Sequence, residues 1–517
     1  MAVQSLSCRP VPVVLALLAA PLTLGAQAVS APPVTTRVAP TAPELLAIRD
    51  TVLAWVRSGR IPSMAIVVGQ GDDVLWDEAI GWADRERGVP ASTSLAYPLG
   101  SVAKSIAATA MMTLVEDGTV ALTEPIAPLL APASLRVHVG DARQVTIERL
   151  LNASAGIPHG WLSWTEEDDY PVSPVQWERA LARMTHVMFE PGTTWEYSNF
   201  SLGLVQPIIE RLTGERYERY VQRAVFAPLG MDSSFAGVSP AMHAHLVTEY
   251  TAAGRPLPRN WSAPVGGLYA HASARDLYRF GRLHAKRPIG AGRQVLADST
   301  LDLMHRYADG PPSPFALGWY RGGDALTTNG QVGGGNAHLG IHQPSGTVAV
   351  CLLNATSNGY GLADQICDQI MAALVPGSGE RGASRFQAYM AQFENPYEPT
   401  PALAGSWQGA VMTDAGPRGV TLQFPDAGPP RITLAGDTAV AVENSVYNRV
   451  QRFTGSFPAT LVVAEGGEAP VEVSALLTLQ VADDRATGYL LARFGTERGG
   501  FAIPLHVAVR RVKGSSG

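Results

Sequence analysis

The chain has 517 residues, 46% of them hydrophobic and 16% charged, and a formal net charge of −6. That length suggests more than one domain, and the apolar content supports a large core and excludes wholesale disorder. No basic block offsets the acidic balance, so a nucleic-acid partner is not expected.

Residues 1–28 read as a secretory signal. Arg9 is their one charge, an apolar run follows over 11–25, and Ala26-Gln27-Ala28 is a small-residue cleavage site. Pro12 and Pro21 interrupt the run, which is shorter than the ~20 apolar residues of a span. Cleavage there predicts a periplasmic or secreted chain with no membrane span left. Cys351 and Cys367 remain, and either a bridge or two buried thiols fits them. Neither a C-x-x-C, an H-E-x-x-H nor a Cys/His cluster occurs, so neither metal nor cofactor is expected.

Residues 29–43, rich in Pro, Ala, Thr and Val, read as a flexible lead-in. The segment 44–57 then carries apolar residues at helical spacing, and Gly59 stops it. Paired strands are expected at 64–68 and 74–79, and a strong Ala-rich helix at 102–116, ended by Gly118. Further helices are expected at 198–212, 272–284, 299–307 and 362–374. A hairpin is expected across Pro344-Ser345-Gly346, joining 338–342 to the β-branched run 347–353. Helices and strands so mixed give residues 44–394 an α/β (α+β) character. A Pro-rich stretch at 395–401 reads as a linker. Beyond it, 402–512 holds short apolar runs at 420–424, 431–434, 439–442, 459–463, 471–481, 489–494 and 505–512. Gly, Pro and Asp separate them, which predicts an all-β sandwich or barrel. The tail 513–517 reads as disordered.

Lysine occurs three times, at Lys104, Lys286 and Lys513, in a chain that otherwise takes positive charge from arginine. One of the three lies in Ser101-Val102-Ala103-Lys104, at the start of the Ala-rich helix. Positions i and i+3 share a helix face, so the amine can reach the hydroxyl. Serine needs a base to act as a nucleophile, and a desolvated lysine can be one. The helix start also offers backbone N–H groups to an oxyanion. A capping serine beside a solvated lysine would have the same spelling. Further on, Tyr197-Ser198-Asn199 lies in a loop feeding a helix. Tyr197 can relay a proton, and Asn199 can donate to a substrate carbonyl. By themselves these two fit a packed aromatic and a helix cap equally well.

Together, Ser101–Lys104 and Tyr197–Asn199 resemble the motifs of the serine β-lactamase-related family, which includes class C β-lactamases, D,D-carboxypeptidases, D-aminopeptidases and esterases. The stretches 147–158, 228–231 and 264–269 are similar to that family's segments in the same order, and the likeness covers about 44–375. The resemblance implies a helical subdomain beside an antiparallel sheet. It also implies an acyl-enzyme on Ser101, assisted by Lys104 and Tyr197. The family's third motif is Lys or His, a small residue, then Gly. Here the matching place is taken as Gly330-Gln331-Val332-Gly333-Gly334, with Gln331 in the cation's position. Gln331, Gly333 and Asn199 would then contact substrate, and the N–H groups of Ser101 and Gly334 would hold the oxyanion. Glu166–Asp169 reads as a solvated loop, and His159, His338 and His342 as packing histidines. No G-x-S-x-G is present, so an α/β-hydrolase elbow is not expected.

The expected partner is a small-molecule or peptide acyl substrate; the oligomeric state is left open. The expected activity is that of an exported serine hydrolase, acting on β-lactams, D-peptides or small esters and amides. A penicillin- or D-peptide-binding protein with little turnover is the rival.

Overall fold

A computed structural model describes residues 31–165, 174–237, 244–258, 260–263, 269–290, 292–306, 313–356, 361–377, 396–448, 450–464, 467, 469–496 and 499–512. The signal at 1–28, the acidic loop Glu166–Asp169, most of the turn at 264–269 and the tail lie outside them.

The chain opens with strand β1 (Val34–Val38), helix α1 (Pro43–Arg57) and the hairpin β2 (Ser63–Gln70) and β3 (Asp73–Asp84). Strand β4 (Ala96–Pro98) leads through a 3-10 turn at Gly100–Val102 into α2 (Ala103–Glu116). There follow β5 (Trp161–Thr165), α3 (Asn199–Gly203), α4 (Val205–Thr213), β6 (Asn260–Ala263), β7 (His271–Ser273), α5 (Ala274–His284) and α6 (Asp298–His305). Strands β8 (Tyr320–Gly322), β9 (Ala325–Val332), β10 (Gly335–His342) and β11 (Thr347–Leu353) precede α7 (Leu362–Leu374).

The first large sheet runs β1-β3-β2-β11-β10-β9-β8, with every pair of neighbours antiparallel. Its strands alternate between two cores, as a period of two requires. Met64, Ile66 and Val68 of β2 face α1 and α7, whereas Ala65 and Val67 face the core that holds α2 and α5. Central β11 is buried along its whole length, which is why its sequence is a continuous apolar run. α2 is Ala-rich and buried nearly all round, so close neighbours can pack on every side.

Two expectations need correction, and one open alternative is decided. The lead-in 29–43 contains β1, because the β-branched run Val34-Thr35-Thr36 adds to the edge at β3. The helix expected over 198–212 is two, divided at Leu204. Cys351 and Cys367 are both free and buried, the Cys367 thiol donating to the Ala349 carbonyl at 3.3 Å.

The region beyond 402 is all β, as the alternating runs predict. Its strands are β12 (Gly405–Thr413), β13 (Gly416–Phe424), β14 (Arg431–Leu434), β15 (Val440–Ala441), β16 (Glu443–Tyr447), β17 (Arg452–Leu461), β18 (Val471–Ala482), β19 (Arg485–Thr496) and β20 (Gly499–Arg511). The ladder runs β15-β14-β13-β12-β20-β19-β18-β17-β16. Its two end strands are consecutive in the chain, joined through buried Val442, so the sheet curls back on itself. β5 extends this ladder from the other half of the chain: Phe501 pairs with Leu162 and Ala502 with Trp161. By contacts, residues 32–517 form one unit.

Candidate active site

The place of Ser101 is set by a glycine. Gly100 has φ 51°, a left-handed conformation that L side chains rarely adopt, and it turns the chain from β4 into α2. Ser101 therefore sits in the first turn, and Lys104 one turn on. Lys104 Nζ lies 2.9 Å from Ser101 Oγ. Tyr197 Oη donates to the same oxygen at 2.6 Å, and Lys104 Nζ stands 4.8 Å from the Tyr197 ring centre. Lys104 is 2% exposed. Burial pushes its pKa below the ordinary lysine value, and the neighbouring Tyr197 hydroxyl opposes that only in part.

The Tyr197 loop is held on both sides. Ser198 caps α3, accepting from Ser201 N at 2.9 Å and donating to the Pro158 carbonyl at 2.8 Å. Glu196 N donates to the Ala153 carbonyl at 2.9 Å. The Glu196 carboxylate is buried and accepts from Arg452 Nη1 and Tyr489 Oη, each at 2.6 Å. Both of those partners come from the C-terminal sheet. Asn199 opens α3 and is buried, and its Oδ1 has no hydrogen-bond partner among the described residues. His159, read as a packing residue, has its ring 5.6 Å from those of Tyr197 and Trp161. Burial, with Lys104 and Arg493 nearby, holds its pKa down to about 3, so it stays neutral.

The opposite wall is β9. A Cβ on Gly330 would collide with the Leu99 carbonyl and Ser101 N, and one on Gly100 would lie 2.8 Å from Gln331 N. The backbone of Gly330-Gln331 thus lies directly on that of Gly100-Ser101. The third-motif placement is corrected accordingly. Val332 pairs with Gly335, so Gly333 and Gly334 are the two-residue turn of the β9–β10 hairpin. A Cβ on Gly334 would meet the Glu249 side chain, whereas one on Gly330 would meet Ser101 N. With Gly330 as the motif's glycine, the sequence there reads Thr328-Asn329-Gly330, still without a cation.

A cleft of about 270 Å³ opens at this point, lined by Ser101, Tyr197, Asn329, Gly330, Gln331, Asn336, Gly361 and Asp364. Asn336 and Asp364 escaped the sequence reading. Asn336 Nδ2 donates to the Gly330 carbonyl at 3.1 Å and to Asp364 Oδ2 at 3.0 Å. Asp364 Oδ1 also accepts from Asn329 Nδ2 and His338 Nδ1, both at 2.8 Å. Burial works against ionisation of Asp364, but the bonds from His338, Asn336 and Asn329 outweigh it and hold its pKa below the usual value. Burial also opposes charge on His338, yet its pKa is held well above normal. The facing groups are Cys367 and Asp364, with Asp368 Oδ1 3.8 Å from Nε2. Burial keeps the Cys367 thiol neutral, so the carboxylates, Asp364 foremost, hold the His338 pKa up. Among the described residues no group of His, Cys, Asp and Glu is arranged to hold a metal ion, and no helix is long and apolar enough to cross a membrane.

The beta-lactamase family model matches residues 43–366, which is more than half of the chain. The chain belongs to the beta-lactamase family. Among its relatives, Esterase EstB of Burkholderia gladioli is 30% identical over 196 residues, covering 36% of this chain and 50% of the esterase. Protein flp of Staphylococcus aureus is 23% identical over 330 residues, 60% of this chain and 61% of its own. The chain therefore spans half to three fifths of these two relatives. Penicillin-binding protein 4 of Amycolatopsis lactamdurans is 26% identical over 380 residues, 67% of this chain and 93% of that protein. Among solved structures, SurE superposes with a TM-score of 0.56 at 20% identity, over 91% of this chain and 99% of SurE. At that identity the likeness is one of fold, and its extent takes in the C-terminal sheet of this beta-lactamase-family chain.

Proposed function

We propose that this chain is a serine hydrolase that works through an acyl-enzyme on Ser101, with small neutral esters or amides as its substrates. The observation that carries this reading is the serine hydroxyl held between a buried, pKa-lowered amine and a phenol. Ser101 Oγ attacks the acyl carbon and its proton passes to neutral Lys104. Tyr197 relays a proton to the leaving group, and water later displaces the acyl group by the reverse path. The oxyanion lies between the N–H groups of Ser101 and Gln331, a role moved from Gly334 because Gly330-Gln331 is the segment packed on Ser101. Asn199 and the Gln331 side chain contact substrate.

The neutral-substrate reading rests on the cleft. Its described lining holds no cation to pair with an acyl donor's carboxylate, and the one carboxylate there, Asp364, is already paired with His338. EstB, an esterase by name, fits the same class. Residues 1–28 act as an export signal in this proposal, and 402–512, which pack with the rest of 32–517 as one unit, shape access to the cleft.

The test is covalent labelling by a fluorophosphonate together with hydrolysis of a nitrophenyl ester. Wild type should do both and Ser101→Ala neither, with unchanged circular dichroism. Turnover by Ser101→Ala would overturn the proposal. The penicillin-binding likeness supports a second reading, in which labelled penicillin acylates Ser101 and is not released.

A further inference from the structure

We infer that Asn336 and Asp364 are positioning residues that orient the Gly330–Gln331 peptide as the oxyanion donor. The inference rests on the hydrolase reading above and adds a cause for the strand wall's geometry.

A trans peptide is planar, and its C=O and N–H point in opposite directions. Whatever grips the Gly330 carbonyl therefore aims the Gln331 N–H. The ladder pairs Gly330 with Ala337, and Asn336 Nδ2 adds a second grip on that carbonyl from the β10 side. Among the described residues the opposite edge of β9 has no strand partner at this level, because β8 pairs with β9 only from Ala325 to Thr327. The Gln331 N–H thus points out of the sheet, on the side where Gly100 and Ser101 lie.

Asn336 has little freedom to let go. Its amide nitrogen also donates to Asp364 Oδ2, and its Oδ1 accepts from Ala363 N in the first turn of α7 at 2.8 Å. An amide bound at both ends cannot flip without breaking bonds at each. Asp364 is fixed in turn by Asn329 from β9 and His338 from β10. Gly361 has no room for a side chain, since a Cβ there would strike the carboxylate of Asp364 and the amide of Asn336. β9, β10 and α7 thus meet on one carboxylate and one amide. The ordinary backbone ladder between β9 and β10 needs neither group.

An oxyanion donor must be aimed before charge develops, and this is what a rigid, bonded peptide provides. The two side chains are assigned to that aim, acting through the Gly330 carbonyl.

The test uses Asn336→Asp and Asp364→Asn in the full chain. kcat and KM are measured on a nitrophenyl ester, with active sites counted by fluorophosphonate titration so that misfolded protein is excluded. Asn336→Asp keeps the size and the Ala363 acceptor and loses the donor. It should lower kcat about 10- to 100-fold with KM little changed, the pattern of a transition-state contact. The ratio of its kcat to wild type should then recover as the pH falls through the carboxyl range, where a protonated carboxyl donates again. Asp364→Asn should lose less, in kcat as well. A purely structural role would change the titrated fraction and leave kcat per site and its pH profile alone; that result overturns the inference, as does a loss confined to KM. If Ser101→Ala still labels, it is the hydrolase reading that has failed.

Discussion

The two walls of the cleft do their work with different parts of the chain. The helix wall presents side chains: a hydroxyl, a buried amine and a phenol converge within 3 Å of one oxygen. The strand wall presents backbone, with Gly330 and Gln331 laid on Gly100 and Ser101. In the proposed mechanism, chemistry on the helix wall depends on the protonation of Lys104, so it is tuned by burial. On the strand wall it depends on the aim of one peptide, so it is tuned by hydrogen bonds from behind. One wall should fail when a functional group is changed, the other when a shape is changed.

The largest expected effect is on the helix wall. Guanidinium stays charged, so Lys104→Arg should lose about as much kcat as Lys104→Ala, several orders of magnitude. The acid limb of kcat/KM in wild type should report deprotonation below the ordinary lysine value of 10.5, because burial lowers the Lys104 pKa and the neutral amine is the active form. Substantial turnover by Lys104→Arg would show that positive charge suffices there, and the contrast between the walls would collapse.

Next comes shape on the strand wall. Gly330→Ala introduces only a methyl group, but β9 must move off Ser101 to admit it. A loss of roughly 10²–10³ in kcat is expected, the size of a lost oxyanion donor. Fluorophosphonate labelling slowed in step with ester hydrolysis would confirm that acylation is the affected stage.

A smaller effect on rate and a large one on stability are expected behind Tyr197. Glu196→Ala removes the carboxylate that pairs with Arg452, whose side chain is 5% exposed, and that accepts from Tyr489 Oη. Breaking such a pair costs about 3–5 kcal/mol. Thermal melts should show that loss, while the folded fraction keeps Lys104 and Ser101 and so retains activity. The smallest effect concerns selectivity. Gln331 is exposed at the cleft, and Gln331→Lys offers a charge-assisted bond in place of a neutral one. The gain of about 1–2 kcal/mol corresponds to roughly 5–30-fold in preference for a chromogenic cephalosporin over a neutral nitrophenyl ester. An unchanged ratio would mean that the Gln331 side chain does not meet the substrate's carboxylate.

The same contrast explains what could be read from the sequence. Ser101 and Lys104 are three residues apart, and helix geometry alone brings them together. Tyr197 needed the company of that first motif to stand out. The strand wall is tertiary. Gln331 lies 230 residues from Ser101 in the chain, and its register is ambiguous inside a run with four glycines in six positions, so the donor role expected at Gly334 is proposed instead for the Gln331 N–H. Asn336 and Asp364 are distant from each other in sequence and meet only when α7 packs under β10. In the C-terminal sheet the strongly apolar runs announced themselves. β12 and β16 did not, since few of their residues are buried and propensity had little to register.

The bond between Glu196 and the C-terminal sheet bears on how such a gene can change. The Pro-rich join near 395–401 looks like a place where recombination could remove or exchange everything after it. A chain cut there would lose Arg452 and Tyr489 at one stroke and strand a buried carboxylate next to the phenol that serves the nucleophile. It would also bare the edge of β5 where β20 now lies. Any exchange of the C-terminal segment must therefore supply a new pair of donors in the same place, or be accompanied by a change at residue 196. Covariation between position 196 and positions 452 and 489 is the mark that this constraint should leave among its descendants.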